Sequence, residues 1–364
     1  MLEEGKGQKN IIYFFLLSFF FYILARYVPP ALRTHLISEM KEASVIMAAA
    51  VKEIRSCEED KGIRLDYETD INRTGLIGLK NSPLTTSLGS LPAKRTTANP
   101  NFAALLVYLL KKAGVSKGDV FAVGASSSFP ALIVATLAAA RAVGARALMI
   151  NSLGASQWGA NNPHFNWLDI QDCVLKKEIF EEMPLAVSLG GGNDTGGGIS
   201  SEMREALIEI VKKMKIRFIQ ESDLRKNVGM RMKIYEQYAG GKKIKAFVNI
   251  GGNAADLGTD SRILKLKPGL NRIRNFPPPE KSGIIHEMAG RGVPVIHLLY
   301  IRGLASRYRL AWDPSPLPQP GEGEIYRLAA REDMSFLLIA FLYFASTLAM
   351  FLLNRLQMRS HASL

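Results

Sequence analysis

The chain has 364 residues, 46 Lys and Arg against 33 Asp and Glu, a formal charge of +13 and 48% hydrophobic residues. That balance excludes a disordered chain, unperiodic Gly excludes a collagen-like one, and two cysteines, Cys57 and Cys173, exclude a disulfide-dense scaffold. A mean hydropathy of +0.06 beside so much positive charge requires apolar and charged residues to be segregated along the chain.

In chain order, a short tail over 1–10 precedes an uncharged run that predicts a transmembrane helix over 11–28, long enough to cross a hydrocarbon layer of ~30 Å. A helical stalk follows over 29–62, in which Met40, Ala43, Ile46, Met47, Ala50, Val51 and Ile54 share one face. An α/β domain is expected over 63–313, beginning with a loop-rich segment to residue 101. Apolar runs at Val120–Val123, Ala147–Ile150, Leu185–Leu189, Ile244–Ile250 and Pro294–Tyr300 read as strands. Helical patterns lie between them, at Phe102–Ala113, Pro130–Val143, 169–182, 201–214, 223–239 and Ser282–Ala289. Alternating strands and helices predict a three-layer α/β fold around a mostly parallel sheet, flanked by two transmembrane helices. A Pro/Gly-rich linker over 314–333 leads to the second predicted span, 334–353, and a tail over 354–364. Lys6, Lys9, Arg355 and Arg359 favour cytoplasmic termini. The expected localisation is therefore the cell membrane, with two spans and an extracytoplasmic middle domain.

In open parallel sheets, ligands bind beyond the carboxyl ends of strands. Gly124-Ala125-Ser126-Ser127-Ser128-Phe129-Pro130 runs from a strand into a helix, where backbone N–H groups and three hydroxyls suit an anion. Two later strand ends repeat each other: Val187-Ser188-Leu189-Gly190-Gly191-Gly192-Asn193-Asp194 and Val248-Asn249-Ile250-Gly251-Gly252-Asn253. Adjacent glycines let backbone amides approach a ligand. The amide-rich segment from Asn151-Ser152 through Ser156, Trp158 and Asn161-Asn162 adds neutral donors and acceptors, and Lys94-Arg95 supplies cations for a carboxylate or phosphate. No residue set predicts a metal site, and the sequence leaves any cofactor open.

Three stretches resemble the poly-gamma-glutamate system protein family: Glu68-Thr69-Asp70-Ile71-Asn72-Arg73-Thr74-Gly75-Leu76-Ile77-Gly78; Leu84 to Pro100, including Thr85-Thr86-Ser87 and Lys94-Arg95-Thr96-Thr97; and Gly154-Ala155-Ser156-Gln157-Trp158-Gly159-Ala160-Asn161. The resemblance implies a membrane accessory of poly-gamma-glutamate synthesis and export. Its partners would be the polymer, other membrane proteins of that apparatus and membrane lipid. It carries over no catalytic residue.

Charge is compatible with a polyanion. Residues 202–245 hold 12 Lys and Arg against 6 Asp and Glu, and 262–274 hold 5 against none. No nucleic-acid-binding module is recognisable, and nucleic acid is not expected as a partner. Two other functions fit the residues. One is a Ser-dependent hydrolase or transferase with Ser126 as nucleophile, Asp169 or Asp256 as acid, and His286 or His297 as base. Ser128 stands where a nucleophile elbow has its second Gly. The other is a small-ligand or nucleotide sensor built on the Gly-rich loops.

Overall fold

The computed structural model describes residues 2–27, 31–331 and 334–361, with side chains described over 12–25, 35–329, 338–353 and at Arg355. The chain forms two compact units.

The larger unit, Ser38–Tyr326, is a mixed α/β structure. Its sheet contains β1 (Val120–Ser126), β2 (Arg146–Ser152), β3 (Ala186–Ser188), β4 (Phe218–Ile219), β5 (Ile244–Ile250), β6 (Gly269–Asn271) and β7 (Val295–Leu298). The spatial order is β4-β3-β2-β1-β5-β7-β6, parallel throughout except for β6, which runs antiparallel to β7. From β1 the chain builds outwards in one direction through β2, β3 and β4, then returns to place β5 on the other side of β1. That reversal opens a crevice at the carboxyl ends of β1 and β5, where doubly wound sheets bind ligands.

Every residue of β1 is buried, as a strand covered on both faces must be. One face packs Val120, Ala122, Leu148, Ile150 and Phe247 against Val228, Met232 and Tyr235 of α8 (Leu224–Ala239) and Ile284, Ile285 and Met288 of α10 (Ile284–Gly290). Before these, α4 (Asn101–Lys112) packs on α5 (Pro130–Val143), which packs on β2, and α7 (Ser201–Lys213) packs on β4. Pro130 opens α5 and Gly144, at φ 68°, ends it, as expected from the sequence.

The expected stalk is part of this unit from Ser38 onwards. α2 (Ala31–Asp60) buries Met40, Ala43, Met47, Ala50 and Ile54 completely. Ser44 Oγ lies 2.8 Å from Tyr326 Oη, which donates to Asn101 Oδ1 at 3.0 Å. Cys57 of α2 is disulfide-bonded to Cys173 of α6 (Trp167–Lys176). Closing a loop of sequence separation 116 stabilises the fold by roughly 2–4 kcal/mol where thiols are not kept reduced.

Several elements escape the sequence pattern. α3 (Leu91–Thr97) sits in the expected loop-rich segment. α11 (Ile301–Tyr308) follows β7. α12 (Glu324–Arg331) occupies the end of the expected linker. Its preceding stretch, Pro314–Gly323, has no regular helix or strand. Residues 28–30 and 332–333, where span and linker boundaries were expected, lie outside the described residues, as do residue 1 and 362–364.

The smaller unit comprises 1–37 and 327–364. In it α1 (Leu2–Tyr27) packs on α13 (Met334–His361) through Ser18 Oγ and Tyr343 Oη, 3.1 Å apart, and an edge contact of the Phe21 and Tyr343 rings. The expected tails are helical where described, and Phe15, Phe20, Phe341 and Phe344 are exposed. Among the described residues, no helix is long and apolar enough to cross a membrane. This overturns the spans expected at 11–28 and 334–353 and the two-span localisation built on them.

Candidate functional site

A cavity of about 570 Å³ occupies the crevice at the carboxyl ends of the strands. The loop after β1 contributes Ser126, Ser128 and Phe129; the ends of β2 and β3 contribute Ser152, Gly154, Gly190 and Gly191. The loop after β5 contributes Gly252 and Asn253, and the β7–α11 junction Tyr300, Ile301 and Arg302. Thr86–Ser90, Lys94 and Ser156 close the opposite side. Its wall carries Lys94, Arg302 and many hydroxyls but no carboxylate among the described residues. The uncapped N-terminus of α11, whose first N–H groups have no side-chain acceptor, also faces it. Arg302 is exposed and stacks over the Trp312 ring at 5.6 Å.

Beneath the cavity lies a buried charge network. Asp194, 2% exposed, comes from the Gly-rich loop after β3. Gly191 allows that loop its turn: its φ is 69°, and a Cβ would stand 2.1 Å from the Gly197 carbonyl oxygen. Asp194 Oδ1 accepts from Ser188 Oγ (2.7 Å), Asn253 Nδ2 (2.9 Å) and Ser152 Oγ (3.3 Å); Oδ2 accepts from Arg231 Nη2 (2.6 Å) and Asn227 Nδ2 (3.0 Å). Burial works against its charge, but Arg231 and these hydrogen bonds outweigh it and hold the carboxyl below its usual range. Arg231 is fully buried and also donates to Asn227 Oδ1 and Ser188 Oγ, each at 2.9 Å.

On the other side of Arg231, Nη1 is 3.9 Å from Asp256 Oδ1. Asp256 is fully buried, and neither carboxylate oxygen has a hydrogen-bond partner among the described residues. Burial therefore raises its pKa to about 7, against the pull of Arg231. Its carboxyl group lies against β1 where the residue is Gly124; a Cβ there would stand 2.5 Å from Asp256 Cγ.

The sequence-predicted residues divide into two groups. Lys94, Ser126, Ser128, Ser152, Gly191, Gly252 and Asn253 line the cavity. Asp194 and Gly251 lie in the loops that build it, and a Cβ on Gly251 would stand 3.0 Å from Ser126 Cβ. Ser127 and Asn151 instead hydrogen-bond each other at 3.0 Å, and Ser127 Oγ donates to the Ser152 carbonyl. Arg95 forms a bidentate ion pair with Asp313, which raises its pKa and fixes α3 to that segment. Asn161 ties down the Leu79–Thr85 turn, and Asn162 accepts from the His164 N–H. Trp158 takes φ 64° and pairs its backbone with Leu79 and Gly78. Gly192 and Asn193 are exposed.

The expected Ser–His–Asp arrangement does not assemble. Asp169 caps α6 by accepting from the Asn166 N–H and pairs with Lys61. His286 Nδ1 accepts from the Gly283 N–H, and His297 contacts Asn249. Burial lowers both imidazoles, His297 to about 4. None of the three lines the cavity. Among the described residues, no three His, Cys, Asp or Glu side chains gather into a metal-binding group.

Arg231 and Arg302 emerge as site residues only from the structure. Arg231 was one of many cations in a basic stretch, and nothing local distinguishes its burial. Most other cations of the basic segments behave as expected: Lys212, Lys213, Lys226, Lys243, Arg262, Lys265, Arg272 and Arg274 are exposed, whereas Arg204 and Lys245 are half-buried. Comparisons with family models, curated proteins and solved structures find no match.

Proposed function

We propose that the α/β unit binds a carboxylate-bearing ligand in the crevice between β1 and β5, and that this ligand is a segment of poly-gamma-glutamate. The observation that carries the reading is the chemistry of the cavity wall, which presents Arg302, Lys94 and hydroxyls and no opposing carboxylate among the described residues. A ligand carboxylate meeting the Arg302 fork and the first N–H groups of α11 gains charge-assisted hydrogen bonds. The choice of polymer rests on the family resemblance in the Glu68–Gly78, Leu84–Pro100 and Gly154–Asn161 stretches. The exposed cations Arg262, Lys265, Arg272 and Arg274 are suited to hold further units by counterion release, an interaction weakened by salt.

Calorimetric titration of the full chain with a γ-linked glutamate trimer tests this. Binding is expected at low ionic strength, to weaken as salt rises, and to weaken about tenfold or more in Arg302→Ala. Equal binding of the trimer and its uncharged methyl ester rejects the reading.

A further inference from the structure

Lys94 is the most confined amine on the cavity wall, 2% exposed. Its Nζ lies 2.8 Å from Ser156 Oγ, hydrogen-bonds the Ser128 carbonyl and sits 3.6 Å from the centroid of the Phe129 ring. α3 delivers Lys94. The short strand Ala155–Ser156, which pairs in parallel with Thr85–Ser87, delivers Ser156, whose N–H donates to Ser128 Oγ at 2.9 Å. Ser128 and Phe129 in turn lead into α5. The other ionisable side chains on the wall are Arg302 and Tyr300.

This setting makes the neutral amine accessible near neutral pH. Burial lowers Lys94 to about 7, and the positive end of the α5 dipole acts in the same direction. One N–H of a neutral amine is used by the Ser128 carbonyl and one faces the Phe129 ring. The lone pair is left for the Ser156 hydroxyl. A lysine present only to bind an anion would be expected to reach outwards, as Arg302 does.

We propose that Ser156 and Lys94 are a nucleophile and general base that cleave an amide bond of the ligand by acyl transfer. The proposal rests on the carboxylate-binding reading above and assigns a reaction to the same crevice. Ser156 Oγ attacks the amide carbonyl carbon as its proton passes to Lys94 Nζ. The tetrahedral intermediate collapses, the C–N bond breaks, and Lys94 returns the proton to the departing amine. A water molecule then attacks the Ser156 ester, giving its proton to Lys94. The second intermediate collapses, the acyl C–O bond breaks, and Lys94 gives that proton to Ser156 Oγ, restoring the hydroxyl as the acid leaves, so one amide and one water become one acid and one amine.

The test is labelling of the full chain with a fluorophosphonate, with the modified residue located by mass spectrometry. One adduct is expected, on Ser156, with a rate that rises as pH passes through about 7. Lys94→Met should slow it at least about 100-fold while retaining cooperative thermal unfolding. If that variant fails to fold, the adduct position and pH profile of the natural chain decide. An adduct on another serine, no adduct between about pH 6 and 9, or a rate indifferent to pH overturns the proposal. Trimer binding, measured in parallel, separates the two readings. Binding without Ser156 labelling removes the reaction and keeps the site, whereas loss of trimer binding removes the site itself.

Discussion

The loops after β3 and β5 begin alike, with Val187 and Val248 each followed three residues later by a Gly pair, yet they treat their aspartates in opposite ways. The first loop surrounds Asp194 with five donors, counting Arg231. The second turns into α9 (Ala254–Leu257), capped by Asn253, and leaves the Asp256 carboxylate with Arg231 at 3.9 Å and no hydrogen bond among the described residues. Both carboxyl groups are buried, and both face the same guanidinium. The comparison shows that burial alone does not set the charge state: local donors lower Asp194, whereas their absence lets desolvation raise Asp256.

Removing the shared cation should have the largest effect. Arg231→Met leaves Asp194 buried without its counter-charge and should cost roughly 3–5 kcal/mol in denaturant unfolding. A loss below about 1 kcal/mol would mean that Asp194 is neutral, and the contrast between the loops would disappear. Asp194→Asn keeps the shape but loses the charge-assisted bonds and should cost about 2–3 kcal/mol.

Asp256→Asn should act with the opposite sign. The folded-state pKa of Asp256 is raised from 3.8 to about 7. Its contribution to stability is therefore fully present below pH 3.8 and is lost as pH rises through about 7. The substitution should stabilise the chain by about 1–2 kcal/mol at pH 8 and by much less at pH 4. Thermal unfolding of both forms across this interval checks the sign; equal destabilisation at both values would show that Asp256 is a charged partner of Arg231. The smallest effect is expected for Asn253→Ala, which removes a helix cap and one donor to Asp194, at a cost of about 1 kcal/mol by denaturant unfolding.

The larger unit was legible from sequence wherever local pattern sufficed. β1, β2, β5 and β7 are apolar runs bounded by turn residues, and Pro130 and Gly144 mark the ends of α5. β4 and β6, two and three residues long at the sheet edges, leave no comparable run. α3 was hidden because its seven residues carry Pro92 and four polar side chains after Ser90. At the site, the loops after β1, β3 and β5 were recognisable because glycine and serine at strand ends have a local signature. Burial has none: Lys94 read as a loop cation for an anionic ligand, with no sign of its confinement, and Arg231 as part of a basic surface. Likewise Cys57 and Cys173, 116 residues apart in sequence, become partners only when α2 docks beside α6. Asp169 and the two histidines followed a familiar chain order, but the fold places them away from the crevice.

The central claim is that the crevice between β1 and β5 takes a carboxylate. A crystal structure of the chain with the γ-linked glutamate trimer tests it most directly. The account predicts a trimer carboxylate within hydrogen-bond distance of the Arg302 guanidinium and the first N–H groups of α11. A trimer lying on the outer cations around Arg272 and Arg274, with the crevice free of it, would contradict the claim.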